Sequence, residues 1–311
     1  MKIGIVTNTT SSFPLLQFLI ANNLKPFLYI GKSRSVPETE KIVAFTKYAA
    51  LASVQENNKD DFYAWTKKLQ LDLVIVIGYS NKIHLSKMHT PSKGIYNVHF
   101  GKLPNHRGPT PLFWQLKNGD ETIGMAIHEL SGKLDEGNIV WETSIKNEPH
   151  YTYAYLQQIF GNLTVNGVAF MFHSLNTLGS IVGRPQQTTN VGYQHSPTFK
   201  DVWIQWDLME ARQVVDLIKA CCDWNVGALA SINDNWEVKI VDADIENESS
   251  LSGNPGTILE INQYCFLVKC KGNSVLKIYS LTVNYVLVPA RHAAAFGLKV
   301  GMQFKLTIQQ P

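Results

Sequence analysis

Short apolar runs of strand length, separated by stretches with helical spacing, constrain this chain more than any other feature. Residues 2–6 (KIGIV), 26–30 (PFLYI) and 73–77 (LVIVI) read as strands. Residues 13–20, 42–52 and 60–69 between them read as helices, with Asp60 or Asp61 near the start of the last. Strands alternating with helices predict an α/β fold: a doubly wound, mostly parallel sheet covered by helices on both faces. Ligands in such sheets sit outside the carboxyl ends of the strands, where strand order reverses. The first of those ends, Thr7-Asn8-Thr9-Thr10-Ser11-Ser12, has no G-x-G-x-x-G, so a dinucleotide site is not expected. Thr9 and Ser11 can cap the following helix or touch a substrate phosphate at its N-terminus.

The residues that carry chemistry lie within 96–140. Asn97 and His99 are two apart on an extended segment that stops at Leu103-Pro104, so both side chains leave one face while Val98 packs on the other. Asp135 follows 38 residues after Asn97, in the charged turn Lys133-Leu134-Asp135-Glu136-Gly137. Singly, each has an ordinary reading: a turn asparagine, a packed histidine, a solvated carboxylate. Together, amide, imidazole and carboxylate are the groups that acyl transfer to an amine asks for. The attacked carbonyl oxygen gains negative charge, and losing one donor to it typically costs about two to three orders of magnitude in rate. The imidazole can take the proton of the nucleophile and return it to the leaving nitrogen, its carboxylate partner holding the tautomer. None of this requires a metal.

The joint pattern Asn-x-His-x4-Pro, then Arg107-Gly108, Pro111, Gly119-Asp120 and Asp135-x-Gly137 resembles the folate-dependent formyltransferases. That family includes methionyl-tRNA formyltransferase, the sugar N-formyltransferases and glycinamide ribonucleotide transformylase. The resemblance implies a Rossmann-like catalytic domain, Asn97, His99 and Asp135 as catalytic residues, and N10-formyltetrahydrofolate as co-substrate with no metal. It also implies that the loops after residue 77 and before Asp135 hold the pterin through backbone groups. Gly78, Tyr79, Asn81, Ile83, Leu130 and Leu134 are therefore the expected folate contacts, although Tyr79 also fits as an ordinary loop aromatic. Lys102 and Arg107 join Thr9 and Ser11 as expected acceptor contacts. The family's usual Ser-Leu-Leu-Pro reads Gly101-Lys102-Leu103-Pro104 here, so a serine hydroxyl is missing next to the triad.

After a long helical stretch, 151–178, residues 183–190 (GRPQQTTN) have the composition of a linker. One amphipathic helix, 210–220, and short strands at 236–241, 256–259, 264–269, 275–283 and 302–307 then predict a small OB-like β-barrel. The resemblance continues through Trp206-Asp207, Trp224-Asn225-Val226-Gly227-Ala228, Pro255-Gly256-Thr257 and Gly297-Leu298-Lys299-Val300-Gly301, with Asn225 where proline is usual. The expected organisation is a catalytic domain at 1–184, a linker at 185–196 and an OB-like domain at 197–311. At 45% hydrophobic and 17% charged, the composition is that of a soluble globular protein. No apolar run is long enough to cross a membrane, and the first residues lack the features of a secretory signal, so a cytoplasmic location is expected. Cys221, Cys222, Cys265 and Cys270 show no CxxC spacing, so neither a zinc site nor a disulfide framework is expected.

Charge bears on the acceptor. Residues 1–196 hold 18 Lys plus Arg against 13 Asp plus Glu, a balance of +5, and residues 197–311 hold 10 against 12, a balance of −2. A protein gripping tRNA neutralises phosphates with several Lys or Arg. The second half is slightly acidic, with Asp242, Asp244, Glu246 and Glu248 close together, and the loop after residue 30 offers Lys32 and Arg34. The expectation is a small amine acceptor, a nucleotide-linked amino sugar, ahead of initiator tRNA; the amine of an ornithine derivative is also open, as is a homodimer. A formyl-folate hydrolase would use the same triad with water as nucleophile, but its relatives usually carry an N-terminal regulatory domain for which there is no room here. A non-catalytic OB-type binding protein would need a basic, aromatic-lined face, against which the −2 balance argues.

Overall fold

The computed structural model describes residues 1–33, 35–222, 225–232, 236–246 and 251–305. Arg34, Trp224, Glu248 and the end of the expected strand 302–307 lie outside the described residues. The fold divides into two compact units, one of Met1–Pro111, Thr122–Ile145 and Gln157–Gln194, the other of Leu112–Glu121, Lys146–Leu156 and His195–Pro311.

In chain order the elements up to residue 178 are β1 (Ile3–Thr7), α1 (Phe13–Ala21), β2 (Phe27–Ile30), α2 (Val36–Tyr48), β3 (Ser53–Gln55), α3 (Asp61–Leu69), β4 (Leu73–Ile77), β5 (Ile95–His99), α4 (Pro111–Lys117), β6 (Thr122–Glu129), β7 (Ile139–Lys146) and α5 (Tyr153–Leu178). Their strands form one sheet in the order β3-β2-β1-β4-β5-β6-β7. Pairing from β3 to β5 is parallel, and β6 runs antiparallel to β5. All five residues of β1 and all five of β4 are buried, which is what a central strand covered by helices on both faces requires. The chain winds outward from β1 to β3 and then returns to β4 on the other side of β1. The strand order therefore reverses at the carboxyl ends of β1 and β4, the place where α/β sheets put their ligands.

The helix expected at 42–52 runs instead from Val36 to Tyr48. Pro37 in its first turn reads as a breaker, but it lacks only an N–H that would have no helical partner there, and its φ suits a helix start. Beyond the end of this helix the chain adds β3, an exposed three-residue edge strand paired with β2.

The segment expected as a linker behaves otherwise up to Gln194. Gly192 exchanges backbone hydrogen bonds with its surroundings, receiving one from the Arg107 N–H and giving one to the Pro104 carbonyl. The Gln194 N–H then donates to the Arg107 carbonyl. A Cβ on Gly108 would lie 2.2 Å from the Gln194 carbonyl oxygen, and one on Gly192 would lie 2.0 Å from that of Asn105, so two backbones lie together here only because glycine stands at both places. Residues 184–194 are a strap belonging to the first unit.

The second unit contains α6 (Ala211–Cys221) and strands β8 (Ala228–Ile232), β9 (Trp236–Glu246), β10 (Ile258–Ile261), β11 (Phe266–Lys269), β12 (Val275–Val283) and β13 (Val286–Pro289). They form an antiparallel sheet in the order β10-β11-β12-β9-β8, with β13 on β12. Phe304 bridges Ile232 on β8 and Gln303 bridges Thr257 beside β10, so one short segment touches both ends of the sheet and closes it. Inside, Phe304 stacks on Trp206 at 5.0 Å between ring centroids. β8 and β13 are additions to the expected strand set.

Candidate active site

β5 carries Asn97 and His99 on one face, as their spacing predicts. β6 pairs with it so that Asn97 stands opposite His128. The β6–β7 connection then brings Asp135 back over the same face in a left-handed backbone conformation, φ 53°. Three of the four side chains are buried: His99, His128 and Asp135 are 6%, 1% and 7% exposed. Asn97 Nδ2 lies 3.2 Å from His128 Nε2. His99 Nδ1 stands 3.8 Å from Asp135 Oδ2, and His128 Nε2 stands 3.4 Å from Asp135 Oδ1. The expected triad is thus assembled, with His128 as a fourth member that the sequence reading did not include.

Backbone groups orient these side chains. His99 Nε2 donates to the His106 carbonyl at 2.7 Å, and His128 Nδ1 donates to the Glu129 carbonyl at 2.8 Å. The Gly108 N–H donates to Asp135 Oδ2 at 2.8 Å. Burial holds the His99 imidazole below its usual range, against the opposing pull of Asp135, so the ring is neutral near pH 7. Burial alone would push the Asp135 carboxyl up. The His128 ring 3.4 Å away, the His99 ring and the Gly108 N–H outweigh it and hold the group below the usual carboxylate range. A neutral base beside an ionised acid is the state from which an imidazole accepts a proton and is then stabilised. Gly101 makes room for this arrangement: a Cβ there would lie 2.6 Å from His99 Nε2 and 2.8 Å from the His106 carbonyl oxygen. The residue that replaces the family's serine therefore leaves space for the bond that orients His99.

The Asp135 loop is buckled by the strap. Gln186 Nε2 donates to the carbonyls of Asp135 and Gly137 at 2.7 and 2.8 Å, while its Oε1 accepts from Arg107 Nε and Nη2 at 3.0 and 2.8 Å. Arg107 also reaches Glu136 at 3.3 Å and lies over the Tyr193 ring. The Tyr193 hydroxyl donates to Glu136 and to the Leu134 carbonyl. Expected as an acceptor contact, Arg107 is 7% exposed and held by this network.

The other expected contacts fall at the strand ends. Gly78 (φ 70°) lets Thr9 approach, since a Cβ on it would be 2.7 Å from Thr9 Cγ2. The side chains of Tyr79 and Asn81 turn to the buried Glu56, at 2.7 and 3.0 Å from its Oε1. Ile83 is part of the apolar cluster against which Tyr79 and Leu130 pack, and Leu134 is exposed. Thr9 accepts from the Ser11 N–H as a helix cap and donates to Glu38 at 2.9 Å. The Thr10 hydroxyl also donates to Glu38, at 3.1 Å, so this strand end faces a carboxylate, a poor neighbour for a phosphate, and the Ser11 hydroxyl lies 3.3 Å from that of Thr9. Lys102 is exposed, its stem packed over Gly124. Among the described residues, His99, His128 and Asp135 are the group dense enough in ligand atoms to hold a metal ion. No helix among them is long and apolar enough to cross a membrane.

Residues 29–168 match the formyl transferase family and residues 198–284 match the formyl transferase C-terminal domain. The chain is 27% identical over 286 residues to a methionyl-tRNA formyltransferase of Staphylococcus aureus, covering 89% of this chain and 90% of that one. It is 28% identical over 199 residues to that of Blochmanniella floridana, covering 62% of this chain and 60% of the other. Among solved structures, the N-formyltransferase from Helicobacter canadensis in complex with folinic acid and dTDP-3-aminofucose superposes with a TM-score of 0.68 at 14% identity, covering 89% of this chain and 98% of that one. HypX from Aquifex aeolicus in complex with tetrahydrofolic acid superposes at 0.63 with 17% identity, covering 96% of this chain and 47% of that one, so this chain spans about half of HypX. With both halves of the chain matched and an Asn-His-Asp cluster at the carboxyl ends of the sheet, this protein belongs to the folate-dependent formyltransferase family.

Proposed function

We propose that the protein moves a formyl group from N10-formyltetrahydrofolate to the primary amine of a small acceptor, a nucleotide-linked amino sugar. Formyl-folate supplies a formyl carbon whose bond to a folate nitrogen breaks as the bond to the acceptor nitrogen forms. Asn97 has a second amide N–H beyond the one directed at His128, and it donates to the oxygen that gains charge. His99 receives the amine proton at Nδ1, since Nε2 is committed to the His106 carbonyl, and later returns it to the leaving nitrogen. Asp135, 3.8 Å away, stabilises the ring while it is charged. Residues 1–184 carry the chemistry in this reading, and 197–311 form an appended module.

The observation that favours a small acceptor is charge. Residues 197–311 carry a balance of −2. Asp242 and Asp244 stand two apart on one exposed face of β9, while Glu246, next in that row, pairs with Lys277 at 2.8 Å. Burial and the neighbouring Asp244 push the Asp242 carboxyl up, as expected where like charges crowd. A polyanion would meet repulsion at these two aspartates. The second reading, initiator methionyl-tRNA, is favoured by the relatives of Staphylococcus aureus type, which match nearly end to end. A turnover assay with formyl-folate and, in parallel, charged initiator tRNA, dTDP- and UDP-linked amino sugars, an ornithine derivative, or no acceptor tests this. Formylation of an amino sugar alone is the expected outcome. Formylation of the tRNA alone, or release of formate without any acceptor, would replace it.

A further inference from the structure

Proton transfer needs one imidazole beside Asp135, and the structure provides two. A carbonyl oxygen only accepts, so the bonds to His106 and Glu129 place the protons of the neutral rings on His99 Nε2 and His128 Nδ1. The remaining nitrogens, His99 Nδ1 and His128 Nε2, turn lone pairs toward a carboxylate that itself only accepts. The Asn97 amide donates to one of them. The three ligand atoms lie within 4.8 Å of one another and all three residues are buried. Neighbouring ligands on a tetrahedral zinc ion stand about 3.3 Å apart, given metal–ligand distances of about 2.0–2.1 Å, so modest side-chain shifts close the site. Histidines that bind metals have their other ring nitrogen fixed by a carbonyl or carboxylate, and both rings here have it.

We propose that His99 Nδ1, His128 Nε2 and the Asp135 carboxylate form a site for a divalent transition-metal ion of the Zn2+ kind, and that the bound ion shuts off formyl transfer. Coordination occupies the lone pair that would receive the amine proton and neutralises the carboxylate that would stabilise it. Two imidazoles and one carboxylate select Zn2+, Co2+ or Ni2+ over Mg2+ and Ca2+. Metal binding stands on this geometry alone, whereas the shut-off rests on the function proposed above.

Chelator-stripped full-length protein is titrated with Co2+ and followed by visible absorption and by equilibrium dialysis. One equivalent is expected to bind, with the absorption of low-coordinate Co2+, to be displaced by Zn2+ and to be unaffected by Mg2+. His128→Gln and Asp135→Asn are each expected to weaken Zn2+ binding about 100-fold or more. Cys222→Ser, which removes the half-exposed thiol, leaves it unchanged. Zn2+ inhibits turnover over the same concentration range, and chelator restores it. Circular dichroism and thermal melting establish that the variants are folded. A thiolate-to-Co2+ charge-transfer band, or unchanged Co2+ binding in either folded variant, would overturn the site. Stoichiometric Zn2+ binding that leaves turnover intact would overturn the shut-off. Absence of turnover in the metal-free protein would count against the catalytic reading while leaving the Co2+ result standing.

Discussion

Gln186→Ala tests whether the strap sets the position of Asp135. The Gln186 side chain makes four hydrogen bonds, two from a buried guanidinium and two to the carbonyls of the left-handed Asp135 and of Gly137. Truncation leaves Arg107 without its two-pronged acceptor and the Asp135 and Gly137 carbonyls without their donor. An unmet buried group costs about 1–3 kcal/mol, which would place the total well above a typical substitution. Arg107 keeps Glu136 and the Tyr193 ring, so the expected loss of stability is about 3 kcal/mol rather than the sum. Catalysis is expected to suffer separately. A carboxylate displaced by about 1 Å lowers kcat by about 100-fold, while KM for formyl-folate changes little. Gln186→Glu separates the effects: it retains an acceptor for Arg107 but loses the donor to the loop, so it should melt closer to wild type and still be slow. The assays are thermal unfolding and steady-state kinetics on all three proteins. A Gln186→Ala enzyme that is folded and has wild-type kcat would refute the idea that the strap positions Asp135.

Two further outcomes follow from the site. His99→Ala should abolish turnover while leaving folate affinity, measured by calorimetry, largely intact; near wild-type rates would remove His99 from the chemistry. The pH dependence has a definite sign. Burial depresses the His99 imidazole below 6.5, so the unfolded chain takes up that proton first as pH falls. Its contribution to stability is present above pH 6.5 and is lost as pH falls through the folded-state value, and kcat/KM should decline over the same range as the base is protonated. Asp135, also depressed, adds stability that is present above pH 3.8 and lost below it. An enzyme whose activity rose as pH fell below 6.5 would contradict a neutral His99 base.

The sheet was legible because a buried parallel strand such as Leu73–Ile77 is written as an unbroken apolar run, and Asn97 and His99 because two-residue spacing on a strand has one geometric meaning. His128 was not. It sits in the apolar context of β6 and reads as a packed histidine, and only the β5–β6 register sets it opposite Asn97. Gln186 was hidden for a related reason: it sits among Pro185, Gln187, Thr188 and Thr189, a connector composition, and its partners lie 49 to 79 residues away. Arg107 suggested a contact for an anionic acceptor because an isolated arginine beside a catalytic segment looks available, and composition cannot show that Gln186 and Glu136 already hold it. Exposed β3 carries no apolar alternation to betray it.

Direct backbone contact at Gly108 and Gly192 also bears on how such proteins can be recombined. Seams between modules are usually sought where composition turns polar and proline-rich, which here would put the splice near residue 184. A chimaera joined there would give the catalytic half a foreign segment in place of the one that clasps its acid loop, and an inserted side chain at either glycine would force the clasp open. The stretch up to Gln194 must travel with the catalytic half as inherited hardware.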